Sequence, residues 1–227
     1  MVKKNEACNH ISYIIKGDGS KTSSCNELAN ETVEFYKDLF GTAIPSSPID
    51  TEMLKVGEVL NTDERGTLVA PITTEEVKET IFDIGDDKAP GPDGYSSAFF
   101  KKNWKIVGED FMNGVKEFFS YGKMVKQLNH TIIALIPKTD HDPKVGDFQP
   151  IGCTNVAYKT ITKNLIKRME PLVPKIINLA QGAFVGGRLP SDDVFLVQEL
   201  VCGYTRNRSS PRCMIKVDIR KAYDTVS

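Results

Sequence analysis

Apolar residues recur at every third or fourth position in several parts of the chain, and this spacing predicts amphipathic helices. The predicted helices cover residues 26–40, 71–84, 99–119, 155–169 and 191–201. Thr73 and Glu76 have the spacing of a capping box, in which each side chain binds the other residue's backbone amide, and they predict where the second helix begins. Ser191 is predicted to cap the last helix.

The same spacing predicts which face of each helix lies against the core. In the helix at 155–169, the residues expected inside are Tyr158, Ile161, Leu165 and Met169. On its outer face, the expected residues are Lys159, Lys163, Lys167 and Arg168. In the helix at 191–201, the residues expected inside are Val194, Val197, Leu200 and Val201.

Strands are predicted in three places. The continuous apolar run at 131–137 is typical of a strand buried on both faces, and 147–151 follows a polar turn as its hairpin partner. The third strand, 214–219, alternates apolar and polar residues and carries Asp218 near its end. Because helices and a few strands follow one another without a regular repeat, the predicted fold class is α+β.

Two segments between the predicted helices have loop composition. Residues 41–62, rich in small polar residues and proline, are predicted to be a linker that could include a short helix. Residues 89–94 (APGPDG) are predicted to form a stiff, exposed loop. The predicted domain organisation is therefore a helical, linker-like segment at 1–70 and a second domain at 71–227.

Composition excludes some classes of protein. The 227 residues are 40% hydrophobic and 26% charged, as in ordinary globular domains, and no apolar run approaches the roughly 20 residues that span a bilayer. We expect no membrane partner. Because the first residues lack the apolar core of a signal peptide, we expect an intracellular protein that is not secreted. Between nucleus and cytoplasm, the nucleus is slightly favoured. The five cysteines show no C-x-x-C pair, so free thiols are expected and no zinc spacing is present.

The net charge of −1 conceals an asymmetry between the two parts of the chain. Residues 1–100 carry 9 basic and 18 acidic side chains, whereas residues 101–227 carry 20 basic and 12 acidic ones. The basic part is compatible with contact to phosphates, although a solvated surface would have the same composition.

Five short motifs occur in order along the chain. They are Ala89–Gly94 with Phe99, Phe100, Lys101 and Trp104; Ala134–Lys138; Asp147–Ile151 with Tyr158, Lys159 and Lys163; Gln181–Phe184 with Gly187 and Arg188; and Lys216–Val226. Together they resemble the reverse transcriptases of LINE-type (non-LTR) retrotransposons, most like those of plants. Residues 26–41 also resemble the segment that joins the endonuclease of this family to its polymerase.

The resemblance implies a fold and an activity. The fold would be the fingers and the first palm strand of a right-hand polymerase, preceded by a helical segment. The activity would be RNA-directed DNA polymerisation with two Mg²⁺ ions, an RNA template, a DNA primer and deoxynucleoside triphosphates. Asp218 takes the position of the catalytic, metal-binding aspartate, and the Ile219 carbonyl that of a further metal ligand. Nothing in the sequence indicates an oligomeric state.

The resemblance also implies which residues bind substrate. Tyr223 matches the ring that excludes a ribose 2′-hydroxyl. The remaining nucleotide-binding positions are Lys138, Gln149, Lys221 and Ala222. The positions expected to contact template or primer are Lys159, Lys163, Gln181 and Arg188.

Each of these residues also has a purely structural interpretation. Asp218 could be a solvated carboxylate at a strand end, and Tyr223 a core residue. Lys138 could be an ordinary surface lysine. Lys159 and Lys163 could belong to a solvated helix face.

The chain departs from the family pattern in two places. Gln149 stands where the family has arginine, and the lost charge would weaken nucleotide binding about ten- to a hundredfold. Asp192 and Asp193 stand where the family has Asp-Asn. The paired-aspartate turn that completes the metal site is also absent from these residues. We therefore expect the chain alone not to polymerise DNA, the alternatives being a nucleic-acid-binding remnant or a pseudogene product without function.

Overall fold

A computed structural model describes most of the chain. The described residues are 11–42, 48, 51–54, 57–138, 141–178, 181–182 and 185–202. They fall into two compact units, one containing the described residues up to 48 with those of 132–153, and the other those of 50–131 and 154–202. The predicted domain division at residue 70 stays a prediction.

The first unit is built around helix α1 (Cys25–Gly41), in agreement with the predicted helix. Ser24 caps it, because its side chain accepts a hydrogen bond from the amide of Glu27. Tyr36 on this helix packs into a small apolar cluster with Ile14, Val145 and Phe148. The first unit therefore has its own core.

The predicted hairpin is present as strands β1 (Thr131–Pro137) and β2 (Phe148–Thr154), which form a two-stranded sheet. The expectation that β1 is buried on both faces is wrong. Ile132, Ile133 and Ile136 are exposed, at 52%, 44% and 39% of their surface. Since β1 pairs only with β2 among the described strands, little of its surface is covered. Of the β1 residues, Leu135 packs against the apolar cluster of the first unit.

The second unit is helical. Its helices are α2 (Thr51–Leu54), α3 (Thr62–Val69), α4 (Thr74–Phe82), α5 (Ser97–Lys102), α6 (Trp104–Tyr121), α7 (Val156–Met169), α8 (Val173–Ile176) and α9 (Pro190–Cys202). The predicted capping box of Thr73 and Glu76 is confirmed, with both reciprocal hydrogen bonds formed. Val77 and Ile81 of α4 are fully buried, which fixes the side of α4 that packs against α6 and α7.

Helix α3 lies beside the predicted linker and was not predicted. Asn61 caps it, and the Glu64 side chain binds back to the Asn61 amide, so a second capping box marks its start. The spacing of these two residues was the available signal. The helix lacks an apolar stripe and buries none of its residues, which is why periodicity alone did not indicate it.

The predicted single helix at 99–119 is two helices that meet at Asn103. The carbonyl of Phe99 accepts from both the Asn103 side chain (2.8 Å) and the Asn103 backbone amide (3.1 Å), and Asn103 caps the end of α5. Helix α6 continues to Tyr121, where Gly122 adopts a left-handed conformation (φ 66°) and closes the helix.

The last helix, α9, differs from its prediction in two ways. It begins at Pro190 rather than after Ser191, because the fixed φ of proline suits the first helical position. Val194, Val197 and Val201 are between 45% and 55% exposed, so the expectation that they face the core is wrong. The side chain of Leu200 lies outside the described residues. No helix in the part of the chain described is both long and apolar enough to cross a bilayer.

Candidate nucleic-acid interface

The predicted catalytic segment lies beyond the last described residue. Asp218, Ile219, Lys221, Ala222 and Tyr223 all follow Cys202 and are outside the described residues. Among the residues that are described, no three histidine, cysteine or acidic side chains come together as a metal site would require. The structure therefore bears on the expected nucleotide and template contacts only.

Two of those residues belong to the first unit. Lys138 follows β1 directly, and its backbone amide donates to the carbonyl of Asp147 (2.9 Å). Its ammonium is exposed and makes no hydrogen bond or ion pair with the residues that the structure describes. Gln149 is exposed on β2. Both side chains are therefore accessible to a ligand.

In the second unit, the buried side chain of Asn155 connects three segments. Its Oδ1 accepts from the amide of Asp93 (3.3 Å), and its Nδ2 donates to the carbonyls of Gln127 and Leu128 (3.2 and 3.3 Å). Gly91 packs so closely that a Cβ there would meet Asn155. The 89–94 loop, exposed as predicted except at Gly91, is thus fixed to the start of α7.

Three lysines bind the carbonyl groups that follow the end of α4. Lys159 of α7 donates to the carbonyl of Ala89. Lys163 donates to the carbonyl of Asp83 (2.8 Å), and Lys101 of α5 to that of Ile84 (2.5 Å). A helix C-terminus leaves carbonyls without partners and carries partial negative charge, so cations are favoured there. Lys163, which was expected to bind nucleic acid, thus also stabilises the end of α4, whereas Lys159 binds the 89–94 loop.

The carboxylate of Asp83 strengthens this arrangement. Lys163 and Lys167 both reach it, at 2.8 and 3.2 Å. Hydrogen bonds from the two ammonium groups lower the pKa of Asp83 below its ordinary value. Lys163 is consequently shared between a carbonyl and a carboxylate of the same residue.

The face of α7 that packs against α4 is polar as well as apolar. The buried side chains are Val156, Thr160, Ile161 and Asn164. Asn164 accepts from Thr80 of α4 (2.9 Å) and donates to the carbonyl of Thr160 (2.9 Å). The inward prediction holds for Ile161 but is wrong for Leu165 and Met169, which are 41% and 50% exposed. The hydrogen bond between Thr80 and Asn164 helps to decide which face of α7 lies against α4. The spacing of apolar residues does not indicate it.

Arg168 was expected on the outer face of α7, and this is also wrong, since its side chain is only 9% exposed. Its guanidinium makes two hydrogen bonds to the Glu76 carboxylate, at 3.0 and 2.9 Å, and others to the carbonyls of Ala70 and Pro71. The guanidinium lowers the pKa of Glu76. Arg168 therefore ties the end of α3 to the capping box of α4.

The guanidinium of Arg188 is surrounded by backbone carbonyls. Arg188 donates to those of Pro174, Ile177, Asn178 and Gln181, at 2.7–3.1 Å. Gln181 is exposed, and its backbone amide donates to the carbonyl of Asn178 (3.0 Å). The structure brings Arg188 and Gln181 together. However, the hydrogen-bond donors of the Arg188 guanidinium are already bound to backbone carbonyls in and after α8.

Sequence reasoning missed Asn155, Thr80 and Asn164. Asn155 stands where an N-cap is expected, yet its side chain makes no capping hydrogen bond, and its partners are far away in the sequence. Thr80 and Asn164 are small polar residues within apolar helices. Since their roles depend on contacts between distant segments, no local pattern signals them.

Comparison with known proteins bears on the same part of the chain. Residues 136–227 match the family described as reverse transcriptase (RNA-dependent DNA polymerase). The chain is 26% identical over 225 residues to a protein of Xenopus laevis called "Transposon TX1 uncharacterized 149 kDa protein". This similarity covers 99% of the chain and 17% of that protein, so the chain spans about a sixth of the length of its relative.

The comparisons support the predicted resemblance in its general form. All predicted site residues lie within the matched range 136–227, including those outside the described residues. The relative is a frog protein, so the expected likeness to plant elements has no support. Residues 136–227 are similar to a reverse transcriptase domain, and nearly the whole chain is similar to a transposon protein.

Proposed function

We propose that the chain is a segment of a non-LTR retrotransposon reverse transcriptase, with the fingers and first palm strand of a right-hand polymerase. The observation that carries this proposal is that the family match at 136–227 contains every predicted catalytic, metal-binding, nucleotide-binding and nucleic-acid-binding residue. The mixture of helices with a two-stranded sheet is compatible with such a fragment. The substrates would be an RNA template, a DNA primer and deoxynucleoside triphosphates.

Asp218 and the Ile219 carbonyl would hold magnesium, since carboxylate and carbonyl oxygens suit this ion. Bound there, magnesium would supply the positive charge that activates a primer hydroxyl and stabilises pyrophosphate. The ring of Tyr223 would exclude a ribose 2′-hydroxyl. The accessible Lys138 and Gln149, with the amides of Lys221 and Ala222, would bind the triphosphate.

We propose further that these 227 residues alone do not polymerise DNA. One palm aspartate cannot complete a two-metal site, for which several carboxylates are needed. An incorporation assay with the 227-residue chain, an RNA template, a DNA primer and labelled nucleotide tests this directly. Sequencing transcripts beyond the codon for Ser227 supplies the longer product for comparison. We expect the frame to reach a tyrosine-any-aspartate-aspartate turn and the longer product to incorporate labelled nucleotide on an RNA template.

In that longer product, Asp218→Ala should abolish incorporation, whereas Asp224→Ala, which removes an equal charge six residues later, should retain it. Tyr223→Ala should raise incorporation of ribonucleotides relative to deoxyribonucleotides. Unchanged activity in Asp218→Ala, or incorporation by the 227-residue chain itself, would contradict the proposal. A cooperative melting transition of the 227-residue chain would count against a pseudogene product that does not fold.

A further inference from the structure

The basic side chains of the second unit form two groups. One group binds carbonyls or carboxylates of the unit itself, as described for Lys101, Lys159, Lys163, Arg168 and Arg188. The other group is exposed and has no hydrogen bond or ion pair to described residues; it includes Lys78, Lys88, Lys102, Lys105, Lys123 and Lys126. Among the described residues, the second group therefore carries charge that is not already bound within the unit.

Within the exposed group, Lys123 and Lys126 differ in their surroundings along the chain. No acidic residue occurs between Glu117 and Asp140. Three of the others lie close to acidic residues in the sequence: Lys78 to Glu75 and Glu79, Lys88 to Asp86 and Asp87, and Lys105 to Glu109 and Asp110. Lys102 does not, since its nearest acidic residue is Glu109. An anionic ligand would therefore meet less opposing charge at Lys123 and Lys126.

An exposed aromatic ring precedes these two lysines. Tyr121, the last residue of α6, is 73% exposed, and Gly122 turns the chain directly after it. Val125 is 61% exposed in the turn that follows. A tyrosine ring so exposed adds nothing to the core and presents a surface on which a planar group can stack.

The turn that carries the lysines is held in place. The amides of Leu128 and Asn129 both donate to the carbonyl of Val125, at 2.9 and 3.2 Å. Asn155 binds the carbonyls of Gln127 and Leu128 from α7. The backbone from Val125 to Asn129 is thus held in place within the second unit, so ligand binding would order little of it.

We propose that Tyr121–His130 is a binding surface for single-stranded nucleic acid, on which Lys123 and Lys126 contact phosphates and Tyr121 stacks on a base. Basic side chains beside an aromatic ring are the combination that binds single strands without sequence preference. The inference rests on the proposed function, which supplies the RNA template. An acidic polypeptide would pair with the charges of the two lysines but would offer no base to stack on the Tyr121 ring.

The test uses the 227-residue chain and a fluorescent single-stranded RNA, with affinity measured at several salt concentrations. Each phosphate contact on a single strand contributes about −0.7 to the slope of log affinity against log salt. Lys123→Gln/Lys126→Gln should therefore reduce the slope by about 1.4. The matched control, Lys78→Gln/Lys105→Gln, removes the same charge from α4 and α6, where acidic residues lie close in the sequence, and should leave the slope unchanged.

A second variant separates nucleic acid from other polyanions. Tyr121→Ala should weaken RNA binding roughly five- to a hundredfold, the range for loss of one base–aromatic stack. Its affinity for polyglutamate should not change. Melting temperatures equal to that of the unmodified chain confirm that each variant folds.

Equal slopes for the two lysine variants, absence of RNA binding by the unmodified chain, or equal weakening of RNA and polyglutamate binding by Tyr121→Ala would each overturn the inference. The proposed function is tested separately, by the effect of Asp218→Ala on nucleotide incorporation. The two failures are therefore distinguishable.

Discussion

A Cβ atom built on Gly91 would lie 2.1 Å from Oδ1 of Asn155, so the 89–94 loop touches the start of α7 where only glycine leaves room. The same Cβ would lie 2.4 Å from the Asn155 amide nitrogen and 2.6 Å from its Cα. Because two of these atoms belong to the backbone, no side-chain rotation relieves the overlap. The loop and the helix must therefore separate if any side chain is added.

Gly91→Ala is expected to destabilise the protein by about 1–3 kcal/mol, the usual cost of overpacking a closed contact. Urea unfolding monitored by circular dichroism measures it. The control is Gly114→Ala in α6, where a Cβ has nothing within 4 Å and alanine should stabilise the helix by up to about 1 kcal/mol. Equal stability of the two variants would contradict the close approach of Gly91 and Asn155.

Thr80→Val is expected to destabilise the protein by about 1–3 kcal/mol, because Oδ1 of the buried Asn164 loses its donor. A double-mutant cycle with Asn164→Leu tests the contact itself. The double variant should be less destabilised than the sum of the two single variants, since replacing both partners removes the unpaired group. Strict additivity in urea unfolding would mean that the hydrogen bond adds no stability.

The pairing of Glu76 with Arg168 predicts a dependence of stability on pH. Since the folded state lowers the pKa of Glu76 below the ordinary 4.5, its contribution is present above pH 4.5 and is lost as the pH falls through the lowered value. Glu76→Gln should flatten the dependence of the free energy of unfolding on pH in this acidic range. Glu75→Gln, at the exposed neighbouring residue, is the control and should retain the dependence of the unmodified chain.

Arg188→Lys is expected to lower the melting temperature nearly as much as Arg188→Ala. One ammonium cannot reach the four carbonyls that the planar guanidinium binds, even though the charge is kept. Differential scanning calorimetry measures both variants. If Arg188 served only as a cation for nucleic acid, both variants would melt like the unmodified chain, and the lysine variant would keep its RNA affinity.

Local signals in the sequence predicted the elements well. The Thr73–Glu76 capping box, the apolar stripe of Val77 and Ile81, and the turn between β1 and β2 depend on residues within a few positions of one another. Such signals work because capping and periodicity are decided by neighbouring residues. The same kind of signal marked Asn61 and Glu64, although α3 was not predicted.

The predicted site was located less completely. Motif order indicated residues within 136–227, and the family match covers that range. The motifs did not indicate that Lys159, Lys163 and Arg188 bind backbone carbonyls, because those carbonyls belong to other segments. Whether a lysine is available to a ligand depends on which groups lie within its reach in the folded chain.

The sequence by itself determined most of the helices, the hairpin, the mixed α and β character and the resemblance to reverse transcriptases, because each depends on local spacing or on the order of motifs. Only the tertiary structure decided which basic residues are occupied, that β1 and α9 expose apolar surface, and that Asn155 joins the 89–94 loop to the 125–129 turn. These features depend on contacts between residues far apart in the chain, and local sequence patterns carry no information about which distant groups will meet.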